Sequence, residues 1–245
     1  MAKADSKALA NVTEQLAAEA ASIADSIGKP ATNVIKTRDK VFTLPDGQVL
    51  QAPLSVVIID FISKNMFYED AYREGEIQAP ACFAINKVVS ELAPSPNATD
   101  PQADTCATCP MNEFGSDGAG KACKNTRLLA VTLPNSDSDD IFTMSVSPTA
   151  IKAFDAYVGS VAKVFKAPPV RVITDVNFHP EKTYPSLMFG NPQPNKYFAE
   201  DYARREEAEM LLTVEPDPAP EEDAAQPKSQ VKKRTVKKKA VRRRR

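Results

Sequence analysis

The chain has 245 residues, of which 42% are hydrophobic and 26% charged, enough for one medium-sized domain with additional segments or for two small domains. Its formal net charge is −1. The longest apolar run, at residues 54–61, is only as long as a strand, so the sequence predicts no membrane span.

Charge is distributed very unevenly along the chain. Residues 228–245 contain 11 Lys or Arg and no acidic residue, while the preceding 227 residues carry 20 basic and 32 acidic residues. The net charge is therefore near −12 for residues 1–227, the body, and near +11 for residues 228–245, the tail. A block of like charge does not fold alone, and a basic terminal arm typically binds phosphate groups.

The first predicted element is an N-terminal helix over residues 5–27, within an N-terminal unit of residues 1–30. Apolar side chains recur there mostly at steps of three and four residues, and Gly28-Lys29-Pro30 ends the pattern. A β-rich core domain is predicted over residues 31–213. It begins with strands at 34–37 and 40–44, a turn at 45–47, and a strand at 54–61 that is buried on both faces.

The second half of the core domain alternates strands with one long helix. Strands are predicted at 127–132, 141–146, 171–178 and 186–189. A helix opens near Ser147-Pro148-Thr149, with Ser147 as its N-cap, and ends at Pro168-Pro169. A charged helix follows near 198–212, and residues 214–245 form a disordered acidic linker and basic tail. The fold class is α+β and β-rich: an OB-like small barrel or a curved antiparallel sheet with flanking helices.

Four cysteines predict a metal centre inserted into this domain at residues 80–127. Cys106 and Cys109 form a Cys-x-x-Cys turn, and Cys82 and Cys123 lie on either side of it. Four sulfur ligands favour Zn²⁺, with an iron–sulfur cluster as the alternative cofactor. Because all four positions are filled by protein, such a metal stabilises structure and has no open site for catalysis. Pro94, Pro96 and Pro101 interrupt this region, and a metal would stabilise such a loop-rich segment.

Other uses of the thiols stay open. The four cysteines can form two disulfides, but the first residues show no apolar signal-peptide core, so we expect a reducing cytoplasm. A Cys-x-x-Cys redox pair is a further alternative, although it does not require Cys82 or Cys123.

Aromatic and basic residues near the cysteines suggest a surface for single-stranded nucleic acid, because such proteins combine stacking rings with cations. The candidates before the first cysteine are Lys64, Phe67, Tyr68, Tyr72 and Arg73. The alternative is that these rings cap the core and anchor the cysteine loop. Around the last cysteine the candidates are Lys121, Lys124 and Arg127, which also have the charge to offset thiolates.

The basic tail is a second candidate contact for nucleic acid, since counterion release drives polycations onto phosphate backbones. The tail residues concerned are Lys232, Lys233, Arg234, Lys237, Lys238 and Lys239. The alternatives are a localisation signal, or an intramolecular contact with the acidic linker at 215–223 that controls access of nucleic acid.

Catalytic residues are scarce. His179 is the sole histidine, and its place before Pro180 indicates a turn. No glycine-rich phosphate loop is present. We therefore expect no enzymatic activity. A weaker alternative is a Mg²⁺-dependent nuclease using Asp60, Glu69 and Asp70.

The cysteine region resembles a poorly characterised group of bacteriophage proteins with a four-cysteine zinc knuckle. The resemblance rests on residues 106–116 and 120–127, on Pro80-Ala81-Cys82 before them and on Ser147-Pro148-Thr149 after them, and it spans about residues 35–190. Some members of the group are similar to single-stranded DNA-binding or replication accessory proteins. The resemblance implies that the four cysteines are metal ligands and implies no catalytic residue. One departure is the basic end of this chain, since single-strand binders typically end in an acidic tail.

These observations together predict a single-stranded DNA-binding protein that acts in phage DNA replication or recombination, in the cytoplasm of an infected bacterium. Its partners are single-stranded DNA and replication proteins. The alternative is a non-catalytic interaction protein whose zinc module docks a replication or transcription partner.

Overall fold

The computed structural model describes residues 33–70, 78–134 and 140–216. The predicted N-terminal helix at 5–27 and most of the predicted tail lie outside the described residues. Within the described ranges the chain is β-rich, and its strands form one curled, mixed sheet accompanied by a few helices.

A single long strand organises this sheet. Strand β4 runs for 14 residues, Leu54–Phe67. Its first half is a continuous run of Val and Ile, which suits a strand covered on both faces. The described chain contains nine strands: β1 (Val34–Arg38), β2 (Val41–Thr43), β3 (Val49–Leu50), β4, β5 (Cys82–Asn86), β6 (Lys124–Thr132), β7 (Phe142–Val146), β8 (Val172–Phe178) and β9 (Leu187–Pro194).

The strand order is β3-β2-β1-β7-β6-β4-β8-β9, and β5 pairs with β4 outside this path. All neighbours are antiparallel except β1 and β7. Along one side β4 pairs with β6. Along the other side its first half pairs with β8 and its second half with β5. The second half of β4 therefore extends beyond β8 as a three-stranded ribbon of β5, β4 and β6.

A bulge between Ile58 and Asp60 divides the apolar residues of β4 between two cores. Val56 and Ile58 belong to the larger core, whereas Ile59 and Ile62 belong to a second core on the opposite face. This division explains how one strand is buried on both sides.

The larger core fills the inside of the curled sheet. Phe42 of β2 stacks on Phe178 of β8, with ring centroids 4.6 Å apart. In the same region the Lys40 ammonium donates to the carbonyl oxygen of His179 at 3.4 Å. Strands far apart in the sheet order therefore meet, which gives the sheet its half-barrel shape.

Three helices of the described chain cover the sheet. Helix α1 (Ile151–Phe165) presents Phe154 to the larger core, and a short α2 (Phe198–Ala203) leads into α3 (Arg205–Leu212). Helix α3 places Ala208 and Leu212 in the second core. Single 3₁₀ turns occur at Val89–Glu91, Pro110–Asn112 and Pro169–Arg171.

The strands, the long helix and its end before Pro168 confirm the sequence predictions, but several details differ. Helix α1 begins after Ala150, so Ser147 is not its N-cap; Ser147 instead accepts the N–H of Ala150 in a preceding turn. The predicted helix at 198–212 is two helices joined at Arg204. One pair of strands, β1 and β7, is parallel, so the sheet is mixed rather than purely antiparallel.

Candidate metal centre and nucleic-acid interface

The four cysteines are placed by the ribbon of β4, β5 and β6 and by the loop between β5 and β6. Cys82 begins β5 opposite Phe67, and Cys123 immediately precedes β6. Cys106 and Cys109 lie in the intervening loop, just before the turn at Pro110–Asn112. All four are buried, each only 8% exposed, and none forms a disulfide.

Backbone and amide hydrogen bonds hold this loop against the ribbon. The N–H of Cys106 donates to Leu92 at 2.9 Å, and the N–H of Cys123 donates to Met111 at 2.8 Å. The Asn112 side chain donates to the carbonyl oxygen of Cys106 at 2.7 Å. Asn112 therefore ties the Cys-x-x-Cys turn to the segment that leads into Cys123.

The thiols interact electrostatically. Burial raises the pKa of Cys123 to about 12, and the neighbouring Cys106, Cys109 and Cys82 contribute in the same direction, while Lys121 opposes them. Burial also raises the pKa of Cys106, and a hydrogen bond from Asn65 partly offsets this rise. All four predicted ligands are thus buried, and they lie near enough to one another to influence the pKa of Cys123.

The donor chemistry of this cluster fits a thiophilic metal, since four buried sulfurs without disulfides are the ligand set of structural zinc. A buried amide oxygen without a partner, Oδ1 of Asn125, lies on the same face of the ribbon. Across the described parts of the chain, however, no group of three or more His, Cys, Asp or Glu side chains has the arrangement of a metal site. Metal binding by Cys82, Cys106, Cys109 and Cys123 therefore stays a prediction.

The predicted nucleic-acid residues of β4 separate onto two faces, because side chains alternate along a strand. Lys64 and Met66 share one face, and the Tyr68 hydroxyl contacts the Met66 sulfur at 3.5 Å. Phe67 lies on the opposite face, opposite Cys82 in the register. Phe67 is therefore placed to anchor the cysteine side of the ribbon, while Lys64 and Tyr68 lie together on the other side.

Lys124 lies on the face that carries Tyr68, whereas the Lys121 ammonium donates to Oδ1 of Asn112 in the cysteine loop at 3.1 Å. Lys124 pairs with Met66 across β4 and β6, and its ammonium contacts Asp117 at 3.0 Å and the carbonyl oxygen of Lys121 at 2.9 Å. The Lys121 ammonium lies 5.0 Å from the centroid of the Phe114 ring. Met66, which contacts Tyr68, is therefore the register partner of Lys124, and Lys124 contacts Lys121 beside the Phe114 ring.

Phe114 was not among the predicted contacts, yet its side chain is 83% exposed. It occupies a small closed loop in which Gly115 and Gly120 are hydrogen-bonded at 2.8 Å. Positive φ angles of 96° at Gly115 and 60° at Gly118 make this turn possible. The sequence did contain a signal for this exposure: Phe114 is an aromatic residue within a glycine-rich turn, where the chain has little with which to bury it. We refer to Lys64, Tyr68, Phe114, Lys121 and Lys124 as the ribbon-tip surface.

Arg127 lies elsewhere. It projects from β6 to the cysteine side of the ribbon, where it donates to Ser63 at 2.8 Å and pairs with Asp155 of α1 at 2.9 Å. Its side chain is only 11% exposed. The other predicted contacts, Tyr72, Arg73 and the tail residues from Lys232 to Lys239, lie outside the described residues.

The carboxylates of the nuclease alternative are far apart. Asp60 lies in the middle of β4, where Lys87 and Arg205 contact its carboxylate at 2.7 and 3.1 Å. Glu69 and Asp70 follow the end of β4. A strand rises about 3.3 Å per residue, so roughly 23 Å of β4 separates Asp60 from Phe67, where the strand ends. The two ion pairs of Asp60 also occupy its carboxylate, so the structure gives no support to a shared Mg²⁺ site.

Comparisons with models of protein families, with curated proteins and with solved structures find no match for this chain. Among the described residues, no helix has both the length and the apolar character needed to span a bilayer.

Proposed function

We propose that this protein binds single-stranded DNA through the ribbon-tip surface, and that it acts in the replication or recombination of a bacteriophage genome. The observation that carries the proposal is Phe114, a ring that is 83% exposed on a hydrogen-bonded loop with a lysine ammonium beside it. The phage context rests on the resemblance of the cysteine motif described above.

An exposed aromatic ring next to a cation suits a nucleotide. The ring offers a face on which any base can stack, and the ammonium offers a partner for the adjoining phosphate. Because the loop carries its own hydrogen bonds, little ordering entropy is lost on binding. Tyr68 and Lys64, on the same side of β4, extend this combination along the ribbon.

The cysteine cluster has a structural role in this proposal. A zinc ion held by the four thiolates would fix the loop between β5 and β6, and with it the position of Phe114. The curled sheet and the ribbon would then act like an OB-like platform, with the stacking residues at one end. Zinc analysis of the purified protein tests this part directly, with one ion per chain expected.

The tail supplies a second, non-specific contribution. Residues 228–245 carry 11 positive charges, while the rest of the chain is acidic overall. An acidic body repels DNA at long range, so a tethered polycation would raise the local concentration of DNA near the ribbon.

The test is a fluorescence anisotropy titration with a labelled oligothymidine, using the wild type, Phe114→Ala and Tyr184→Ala. Tyr184 is a matched control because it is also exposed, at 43%, and has Lys182 near its ring at 5.9 Å. Loss of one stacked base costs about 1–3 kcal/mol, so Phe114→Ala should weaken binding roughly 5- to 150-fold.

Equal affinities for the wild type and both variants would contradict the assignment of the ribbon-tip surface. Phe114 would then be better explained as the anchor of a protein partner, as in the alternative of an interaction protein. A duplex of the same length serves as the second ligand, because stacking predicts a preference for the single strand.

A further inference from the structure

Asn125 carries a buried polar atom that the fold leaves unsatisfied. Within the described residues, its Oδ1 is the only buried side-chain nitrogen or oxygen without a hydrogen-bond partner. Buried amide oxygens without partners are rare and call for a physical explanation, such as a role toward a bound ion or ligand.

The strand register places this amide beside the cysteine cluster. Asn125 lies two residues after Cys123, which immediately precedes β6, and its register partner Asn65 lies on the same face of β4 as Phe67, the partner of Cys82. Directly opposite on β4 is Asn65, which is 3% exposed and donates a hydrogen bond to the sulfur of Cys106. Two asparagine side chains therefore lie side by side on the face that carries the sulfurs.

We propose that Asn65 and Asn125 are outer-shell donors to the metal-bound thiolates, an inference that rests on the metal centre proposed above. A half-turn of the Asn125 side-chain amide exchanges the positions of its Oδ1 and Nδ2 atoms. The rotated amide fits the same space because the oxygen and the NH₂ group are similar in size and shape. The unsatisfied acceptor then becomes an N–H donor. Four thiolates around Zn²⁺ carry a net charge of −2, and N–H donors stabilise that charge.

Thiolates bound to a metal are stronger acceptors than protonated thiols, so an amide N–H at Asn125 contributes most when a metal is bound. Asn125 is thus a positioning residue for the metal-bound sulfurs.

The first experiment measures zinc affinity by competition with a chelating dye, using the full chain. Asn125→Leu, Asn125→Asp and Asn65→Leu should each weaken zinc binding about 10- to 100-fold. Thr126→Val is the matched control. Thr126 is the neighbouring half-buried residue of β6; its side chain lies on the opposite face from Asn125, and its hydroxyl donates to the carbonyl oxygen of Lys64 at 3.0 Å. Its zinc affinity should equal that of the wild type.

The second experiment separates a role toward the metal from a general role in folding. Chemical unfolding is compared with and without zinc. Asn125→Leu should leave the metal-free protein as stable as the wild type or more so, because it removes an unsatisfied buried oxygen. In the zinc-loaded protein the same substitution should be destabilising. If the asparagine were purely structural, the substitution would change the free energy of unfolding in the same direction with and without zinc.

Failure of this inference is distinguishable from failure of the metal proposal. If the wild type binds zinc and Asn125→Leu and Asn125→Asp bind it equally well, the outer-shell role is wrong and the metal centre stands. If the wild-type protein binds neither zinc nor an iron–sulfur cluster, both are wrong. Asn125→Asp keeps the size of the side chain, so a folded variant with altered charge is expected even if the leucine variant does not fold.

Discussion

Phe67 and Tyr68 are consecutive in the chain but face opposite sides of the ribbon. Phe67 lies opposite Cys82 in the register, whereas the Tyr68 hydroxyl contacts Met66 at 3.5 Å on the other face. Of these two neighbouring rings, one therefore lies on the cysteine side of the ribbon and the other lies on the ribbon-tip surface.

This arrangement predicts different effects of two neighbouring substitutions. Tyr68→Ala should weaken binding to single-stranded DNA by about 1–3 kcal/mol, and because its ring is also half-buried it should lower the free energy of unfolding as well. Phe67→Ala should lower the free energy of unfolding by about 1–3 kcal/mol, since its ring is half-buried at the cysteine side. Anisotropy titration and urea denaturation of the same preparations check both. Equal effects of the two substitutions on DNA affinity would show that the face assignment does not govern binding.

Removal of the tail should change the salt dependence of binding more than the preference for single strands. For single strands the slope of log K against log salt changes by about 0.7 for each phosphate that the protein no longer neutralises. A chain ending at Pro216 should therefore show weaker binding and a flatter slope, while it still prefers a single strand to a duplex. Titrations at several salt concentrations measure the slope. If the shortened chain binds neither ligand at low salt, the tail alone would account for DNA binding.

Asp60 should contribute measurably to stability, because its carboxylate is 8% exposed and pairs with both Lys87 and Arg205. Asp60→Asn keeps an oxygen for the N–H of Phe61, which the carboxylate accepts at 2.9 Å, but loses both ion pairs. Since Lys87 and Arg205 are each more than a third exposed, solvent moderates the cost to about 1–3 kcal/mol. The control is Glu207→Gln, which removes the exposed pair with Arg204 and should cost less than about 0.5 kcal/mol. Similar losses for both variants in urea denaturation would contradict the special role of Asp60.

The metal-free protein should lose stability at alkaline pH through Cys123. Its pKa is raised from an ordinary value of 9.0 to about 12, chiefly by burial, so the folded state holds the thiol proton more tightly than the unfolded state. The resulting stabilisation is fully present below about pH 9 and disappears as the pH approaches 12. One such group changes the unfolding free energy by at most about 1.4 kcal/mol per pH unit.

The measurement is urea denaturation in the presence of a chelator between pH 8 and pH 11. Cys123→Ser isolates the contribution of this thiol, because serine does not titrate in that range. The wild type should lose stability faster than the variant as the pH rises. Parallel profiles would show that Cys123 does not keep its proton preferentially in the folded state.

The strands and the long helix were predictable from local pattern. The Val and Ile run in the first half of β4 indicated a strand buried on both faces, and Pro45-Asp46-Gly47 indicated the turn between β2 and β3, where Gly47 has a φ of 88°. The second half of β4 was missed because Ser63, Lys64 and Asn65 are polar. Ser63 and Asn65 are nevertheless buried, since β5, β6 and the cysteine loop cover them.

The candidate site was less predictable than the fold. The number and spacing of the four cysteines predicted that they lie close together, but the faces of the ribbon depend on register, which the sequence does not specify alone. Arg127 illustrates this point, because its charge indicated a surface contact while its register position turns it toward Ser63 and Asp155. The exposure of Phe114 depends on how the cysteine loop closes, which involves residues far apart in the chain.

The length of β4 also affects how the protein is made. When β4 leaves the ribosome, neither β6 nor β8, its two longest neighbours, has been synthesised, because they begin at Lys124 and Val172. Until β6 and β8 have been synthesised, both faces and both edges of this apolar strand are exposed. Nascent chains on adjacent ribosomes can then pair with it and aggregate. Efficient production should therefore depend on protection of this segment during translation, and co-expressed chaperones should increase the soluble yield.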